Sequence, residues 1–452
     1  MPGVHLLARG LGPLAGLLRD RSEAGRARLF AASAFLARVT NAGLGFAIQI
    51  ILARWMGERE YGIYASFWVW FLVLGGVMSL GLPVAALKLV PDYRERADAA
   101  GLRGFLDGAR RLGILPSLLA CAAILSMLCA FGQRIDEHWP VLAIAVLAVP
   151  AYVLMDIQTG IARASDFPDL GLMADYLLRP FLLLVSVAAL WAATVPGSAV
   201  TVMIASALGV LATMTIQGVL LQGRLRRRGF LPDVRPRRDV RRWALVSWPM
   251  LVETAFILLL QASDVLVLQA MVEPEVVAPY FAATKIAAIA SFVAYGVSNT
   301  SAHRFAAQVA RGDREGMARL ARETVRWTFW PTLAVALVLT AASPFLLSLF
   351  GPAFGAGVPV VAILAAGLVA SAAVGPADRA LAMADHGHVA AAIYGIAFLA
   401  NLALCLILVP RFGTLGAASA VSLALIVKAL LLYDHAKKRL GLRMSILPAR
   451  AT

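Results

Sequence analysis

The sequence predicts an all-α integral membrane protein with twelve transmembrane helices. They form two six-helix lobes related by a pseudo-twofold axis along the membrane normal. Three observations predict this. Apolar residues make up 60% of the chain at a mean hydropathy of +0.79, well above a soluble domain. Twelve apolar stretches each approach the roughly 20 residues that a membrane helix needs. Of the 41 Lys and Arg residues, 33 fall in alternate gaps between these stretches, while the intervening gaps hold only Arg54, Arg59, Arg134 and Arg411. Short loops kept inside the cell retain basic residues, so the alternation predicts a topology with both termini cytoplasmic.

In chain order, residues 1–28 set Leu6, Leu7, Leu11, Leu14, Leu17 and Leu18 among Arg9, Arg19 and Arg21. This suits an amphipathic segment on the inner membrane surface; a disordered cytoplasmic tail is the alternative. The N-lobe, 29–221, carries spans near 29–53, 64–82, 112–131, 139–155, 176–193 and 199–221. A basic linker follows at 222–242, with nine Arg and two Pro. Its composition suits a cytoplasmic connection between membrane lobes. The C-lobe, 243–434, has spans near 243–266, 278–298, 327–350, 358–374, 389–409 and 415–432, and 435–452 form a cytoplasmic tail. The span at 358–374 is short and rich in Gly and Ala, but losing it would put the basic tail outside.

The halves echo each other. A shift of 216 residues superposes Leu52 on Leu268 and Tyr64 on Tyr280. In each half the second span leads into a basic stretch, 91–111 and 302–326. In the latter, Phe305, Val309, Leu320 and Val325 recur at roughly helical spacing, which predicts a helix lying on the inner surface. Six spans per half is an even number, so both halves enter from the same side and their axis runs along the membrane normal.

The charge of +15 flanks the spans, where anionic lipid headgroups attract it, and this argues against nucleic acid as a partner. Cys121, Cys129 and Cys405 all lie within spans, so neither a disulfide framework nor a zinc site is expected. No G-x-x-x-x-G-K-[ST] phosphate loop occurs, and neither does H-E-x-x-H or G-x-S-x-G. No enzymatic chemistry, metal or cofactor is expected.

The stretch LARWMGEREYGIYASFWVWFLVLGGVMSLGLPVA, residues 52–85, resembles the signature of bacterial polysaccharide transporters. These are lipid-linked oligosaccharide flippases of the multidrug/oligosaccharidyl-lipid/polysaccharide exporter superfamily. Ala53, Arg54, Gly57, Tyr61, Gly62 and Tyr64 carry the resemblance, with Leu80, Gly81 and Leu82 after the apolar span. Pro249, Asp264 and Tyr280 carry it in the second half. The resemblance implies a flippase that moves a lipid-linked oligosaccharide or polysaccharide precursor across the bacterial cytoplasmic membrane by alternating access. It implies a hydrated cavity between the lobes, a proton or sodium ion as coupling ion, and membrane lipids and glycan-assembly proteins as partners. A duplicated chain is self-sufficient as a monomer. Two rival readings stand beside it: a multidrug or organic-cation antiporter of the same fold, and a membrane polysaccharide polymerase or ligase.

Ionisable groups deep in a span are costly and usually face water or a partner. Arg38 lies about 14 Å into the first span at 1.5 Å per residue, and Glu253 lies at similar depth in the seventh. The 216-residue shift maps Arg38 onto Thr254, beside Glu253. Both are candidate cavity residues: Arg38 for a substrate pyrophosphate, Glu253 for orientation or the coupling ion. A structural ion pair between them is the alternative. Lys285 is a second candidate cavity cation, and Asn41, one turn beyond Arg38, a candidate hydrogen bonder. Arg54 and Asp264 are candidates for an outer gate or for interfacial anchoring. Asp156, Arg163, Asp175 and Arg179 read as a structural cluster at the inner interface, with Asp175 and Arg179 spaced as a helical pair. Asp385–His388 reads as a solvated turn, and Trp68 and Trp70 are mid-span with no assigned face.

Overall fold

A computed structural model describes residues 23–135, 138–230, 234–384 and 386–446, with side chains from 43 onward except at 132–135 and 299. The amphipathic segment predicted over 1–28 falls largely outside the described residues. Helices and turns make up everything described, and ten helices are long and apolar enough to cross a membrane. Helices suit that solvent because each satisfies its own backbone hydrogen bonds.

The first half contains α1 (Glu23–Met78), α2 (Leu82–Glu95), α3 (Ala99–Ile135) and α4 (Trp139–Ala164). A short α5 (Pro168–Met173) then passes through a π turn (Ala174–Leu178) into α6 (Arg179–Ala192), followed by α7 (Ala199–Arg227). The second half contains α8 (Val240–Gln269), α9 (Pro274–Arg311), α10 (Arg314–Ser348), α11 (Val358–Ala372), α12 (Ala377–Met383) and α13 (Gly387–Leu440). The sequence places the ends. Ser198 Oγ accepts the Thr201 amide at 3.2 Å to start α7, and Asp313 Oδ1 accepts the Gly316 amide at 2.8 Å to start α10. Gly312 and Gly441, both left-handed, close α9 and α13.

Two helices are broken rather than bent. Helix α1 breaks at Gly57 (φ 78°, ψ 174°) and α13 at Gly413 (φ 55°, ψ −128°). Both conformations exclude ordinary L side chains, so glycine alone lets the chain reverse there. These breaks fall between the first and second predicted spans and between the last two.

The basic stretches do not form the surface helices that the sequence predicts. Residues 302–326 are the continuous end of α9, the Gly312 turn and the start of α10, packed side by side as a hairpin. The segment 91–111 is likewise the end of α2, a turn with Ala97 at positive φ, and the start of α3. Their amphipathic spacing arises because one face packs on neighbouring helices and the other is exposed, which a surface helix would also show.

Helices α2 to α7 pack chiefly on one another around α4; in the second half α8, α11 and α12 pack on α13, and α9 packs on α10. Helix α1 also packs on α8 and α9, and α2 on α8. Residues between α7 and α8 lie against the first half: the Arg237 amide donates to Ala100 O at 2.9 Å, and Arg237 and Arg242 pair with Asp98 and Asp92. The Trp243 indole, fully buried, donates to the Tyr93 hydroxyl at 3.0 Å.

Gly57→Ala and Gly413→Ala are each expected to cost about 1–3 kcal/mol, read as a lower melting temperature of the purified protein. Gly296→Ala, in open space within α9, serves as the control and should be neutral or slightly stabilising.

Candidate functional site

An open cavity of about 260 Å³ lies between the halves. The first half of α1 contributes Phe46 and Gln49, its second half Trp68, and the π turn and α6 contribute Asp175 and Arg179. Ser206 of α7 and Lys285 and Phe292 of α9 complete the polar and aromatic lining. Lys285, a candidate cavity cation, is among the residues that line this space. Its ammonium sits 4.1 Å from the centroid of the Phe281 ring, a cation–π contact that offsets part of its lost hydration.

Arg179 and Asp175 are not the interfacial pair that the sequence suggested. Both face the cavity, and no ion pair joins them among the described residues. The Arg179 guanidinium lies 5.9 Å from the Trp68 ring centroid, and Trp68 in turn stacks on Tyr64. Asp156 is close enough to interact with Asp175, Arg163 and Arg179. Four ionisable residues within 24 positions were the available signal in the sequence. The face each one takes is fixed by how α5, the π turn and α6 pack, which spacing alone does not encode.

Glu253 stands elsewhere. The nearest charges to it are Arg379 and Asp378, and it is absent from the lining of this cavity. It belongs to a second polar group in the C-terminal half. There the Tyr394 hydroxyl donates to Asp378 Oδ2 at 3.2 Å, Arg379 Nε donates to Ser298 Oγ at 3.2 Å, and Lys428 lies 5.4 Å from the Tyr394 centroid. The side chains of Arg38 and Asn41 lie outside the described residues.

Arg54 and Asp264 do not form a gate with each other. Asp264 is 5% exposed, and its Oδ2 accepts the Tyr280 hydroxyl at 2.6 Å. Arg54 instead crosses to the other half, donating to Leu349 O at 2.6 Å and Ser348 O at 3.2 Å. These are free carbonyls at the end of α10, where a cation also complements the helix dipole.

That crossing is part of a closure at the arginine-poor end. Tyr61 is fully buried among Phe281, Phe350 and Phe354, with centroids 6.1, 6.5 and 5.8 Å away, and its hydroxyl donates to Gln49 of the cavity at 2.9 Å. Gly62 lies so close to Pro274 O that a Cβ would stand 1.9 Å from it, so no side chain fits there. Arg59 pairs with Glu275 at 3.2 Å nearby. An aromatic plug therefore separates the charged cavity from this end.

The profile of the polysaccharide biosynthesis protein family matches residues 31–302, and that of the MatE family matches 249–407. No curated protein matches the chain. Among solved structures, an inward-facing multidrug resistance MATE family transporter of the MOP superfamily is similar at a TM-score of 0.76 and 15% identity, covering 90% of this chain and 98% of its own. The lipid II flippase MurJ in an inward closed conformation is similar at 0.69 and 15%, covering 89% and 87%. An outward-facing MATE family transporter is similar at 0.62 and 16%, covering 91% and 96%. The chain belongs to the polysaccharide biosynthesis protein family and has the fold of the MOP superfamily transporters.

Proposed function

We propose that the chain is a flippase that carries a lipid-linked oligosaccharide or polysaccharide precursor across the cytoplasmic membrane. The observation that carries this reading is the cavity itself: Arg179 and Lys285, from opposite halves, face one open space sealed at one end by aromatic rings. Two cations converging on a space of this size suit a phosphate or pyrophosphate that joins a sugar head to its lipid. At 4 Å and an effective dielectric near 20, each unit-charge contact is worth about 4 kcal/mol. Gln49, Ser206 and Asp175 offer hydrogen bonds to sugar hydroxyls. The family match and the likeness to a lipid II flippase support the same class of substrate.

The chain crosses the membrane twelve times, with α1 and α13 each passing twice across their glycine breaks, and the basic end faces the cytoplasm. The cavity then opens inward. The higher TM-score to the inward-facing transporter than to the outward-facing one supports that state. Turnover alternates this closure with its reverse, drawing on an ion gradient. Asp264, whose Oδ1 is buried with no hydrogen-bond partner among the described residues, is the acid best placed to take up the ion. An organic-cation exporter of the same fold is disfavoured, because Arg179 and Lys285 would repel its substrate.

A deletion strain is expected to accumulate polyprenyl-linked sugars and lose surface glycan; drug hypersensitivity with normal glycan would instead establish efflux. In proteoliposomes, Arg179→Ala and Lys285→Ala should each lower flipping by about tenfold or more, as expected for loss of a charged hydrogen bond. Normal flipping by a stably expressed double variant would remove both residues from the site. Arg59→Cys/Glu275→Cys, joined by a bifunctional thiol reagent, should hold the arginine-poor end shut and stop turnover.

A further inference from the structure

The exposed face of α10 forms one stripe that changes chemistry along its length. Arg319, Arg322, Glu323 and Arg326 come first, then Trp327 and Trp330, then Leu337, Val338 and Phe345. The spacing returns to the same side every three or four residues, so these groups form a continuous surface. Trp327 is 64% exposed and Trp330 59%, large indole areas with no protein cover. The opposite face cannot rotate outward: Leu320, Ala321 and Val325 are buried against Val374 and Ala377.

The arginine section is more than a charged edge. Three adjoining hollows share Glu323: two lie on the seam between α9 and α10 and include Arg304, and the third is bounded by Arg319, Arg322, Arg326 and Trp327 of α10. Glu323 is held by Arg304 through contacts of 3.0 and 3.4 Å, and Glu315 faces Arg319 at 3.5 Å. No acid pairs with Arg322 or Arg326 among the described residues. Two unneutralised guanidinium groups therefore border a hollow, directly above indoles that favour the boundary between headgroup and acyl chain.

We propose that Arg322 and Arg326 bind the phosphate of an anionic phospholipid of the cytoplasmic leaflet, with Trp327 and Trp330 against its upper acyl chains. The order of groups along α10 matches the order within one lipid: phosphate, glycerol ester, hydrocarbon. A soluble phosphate would use the arginines alone and leave the indoles unexplained. The site lies on the outer face of the α9–α10 hairpin, away from Arg179, and its occupant is a resident lipid rather than cargo. Holding the hairpin against the bilayer, the lipid fixes the level at which the second half sits in the membrane.

Native mass spectrometry of the full chain, in detergent with equimolar phosphatidylglycerol and phosphatidylcholine, tests the proposal. The unaltered protein should retain phosphatidylglycerol preferentially. Arg322→Gln/Arg326→Gln should lower that preference by about tenfold, given the attraction contributed by each basic residue. Arg226→Gln/Arg227→Gln, the same charge loss on α7, should leave it unchanged, and Arg322→Lys/Arg326→Lys should retain most of it. Equal retention of the two lipids by the unaltered protein, or an undiminished preference in the double Gln variant, would overturn the proposal. So would complete displacement of phosphatidylglycerol by excess inorganic phosphate, which would identify a free-anion site instead.

Discussion

A charge is costly in hydrocarbon, and Arg179 and Lys285 impose that constraint on everything around them. Neither forms an ion pair at contact distance among the described residues; Asp156 lies in the neighbourhood of Arg179 and Asp264 in that of Lys285. Aromatic contacts with Trp68 and Phe281 offset part of the cost, but a charge so placed still requires water. The helices therefore cannot close at this level, and a cavity follows. Where the charges end, the helices do close: beyond Gln49 the wall becomes Tyr61, Phe281, Phe350 and Phe354, and the space ends.

Closure at one end and fastening at the other use different chemistry. The arginine-poor end relies on van der Waals packing, with Gly62 against the Pro274 carbonyl, and on Arg54 capping α10. Such contacts are made and lost as a unit when helices separate. The basic end relies on ion pairs and a buried indole that tie the start of α8 to α2 and α3. The other end of α8 is joined to α13, where Asn401 Nδ2 donates to Ser263 Oγ at 2.9 Å. Helix α8 is thus attached to both halves, with Pro249 between the two attachments removing one backbone hydrogen bond.

The helical fold was readable because hydropathy and charge alternation act over whole segments, and helix ends carry their own signals in Ser198, Asp313, Gly312 and Gly441. The cavity was only partly readable. Depth along a span follows from counting residues, and Lys285 lies at the level of the cavity. Rotation about the helix axis does not, because it depends on neighbours. That is why spacing suggests the interface for Arg179 and the cavity for Glu253, although both are equally plain in the sequence. The surface-helix expectation for 302–326 failed for a related reason: an amphipathic pattern reports two environments without saying whether the apolar one is lipid or protein.

The 216-residue register bears on how the ends differ. Arg59 and Glu275 are separated by 216 positions and touch each other. This contact sits within the closure at the arginine-poor end. Tyr64 and Tyr280, another pair in this register, are both buried, yet one bonds to Ser206 and the other to Asp264. The cavity lining comes mainly from the first half, whereas the second half gathers Glu253, Asp378, Arg379 and Lys428 into a cluster of its own. One cation from each half, Arg179 and Lys285, still reaches that cavity, so a separation of the halves would pull the two charges apart.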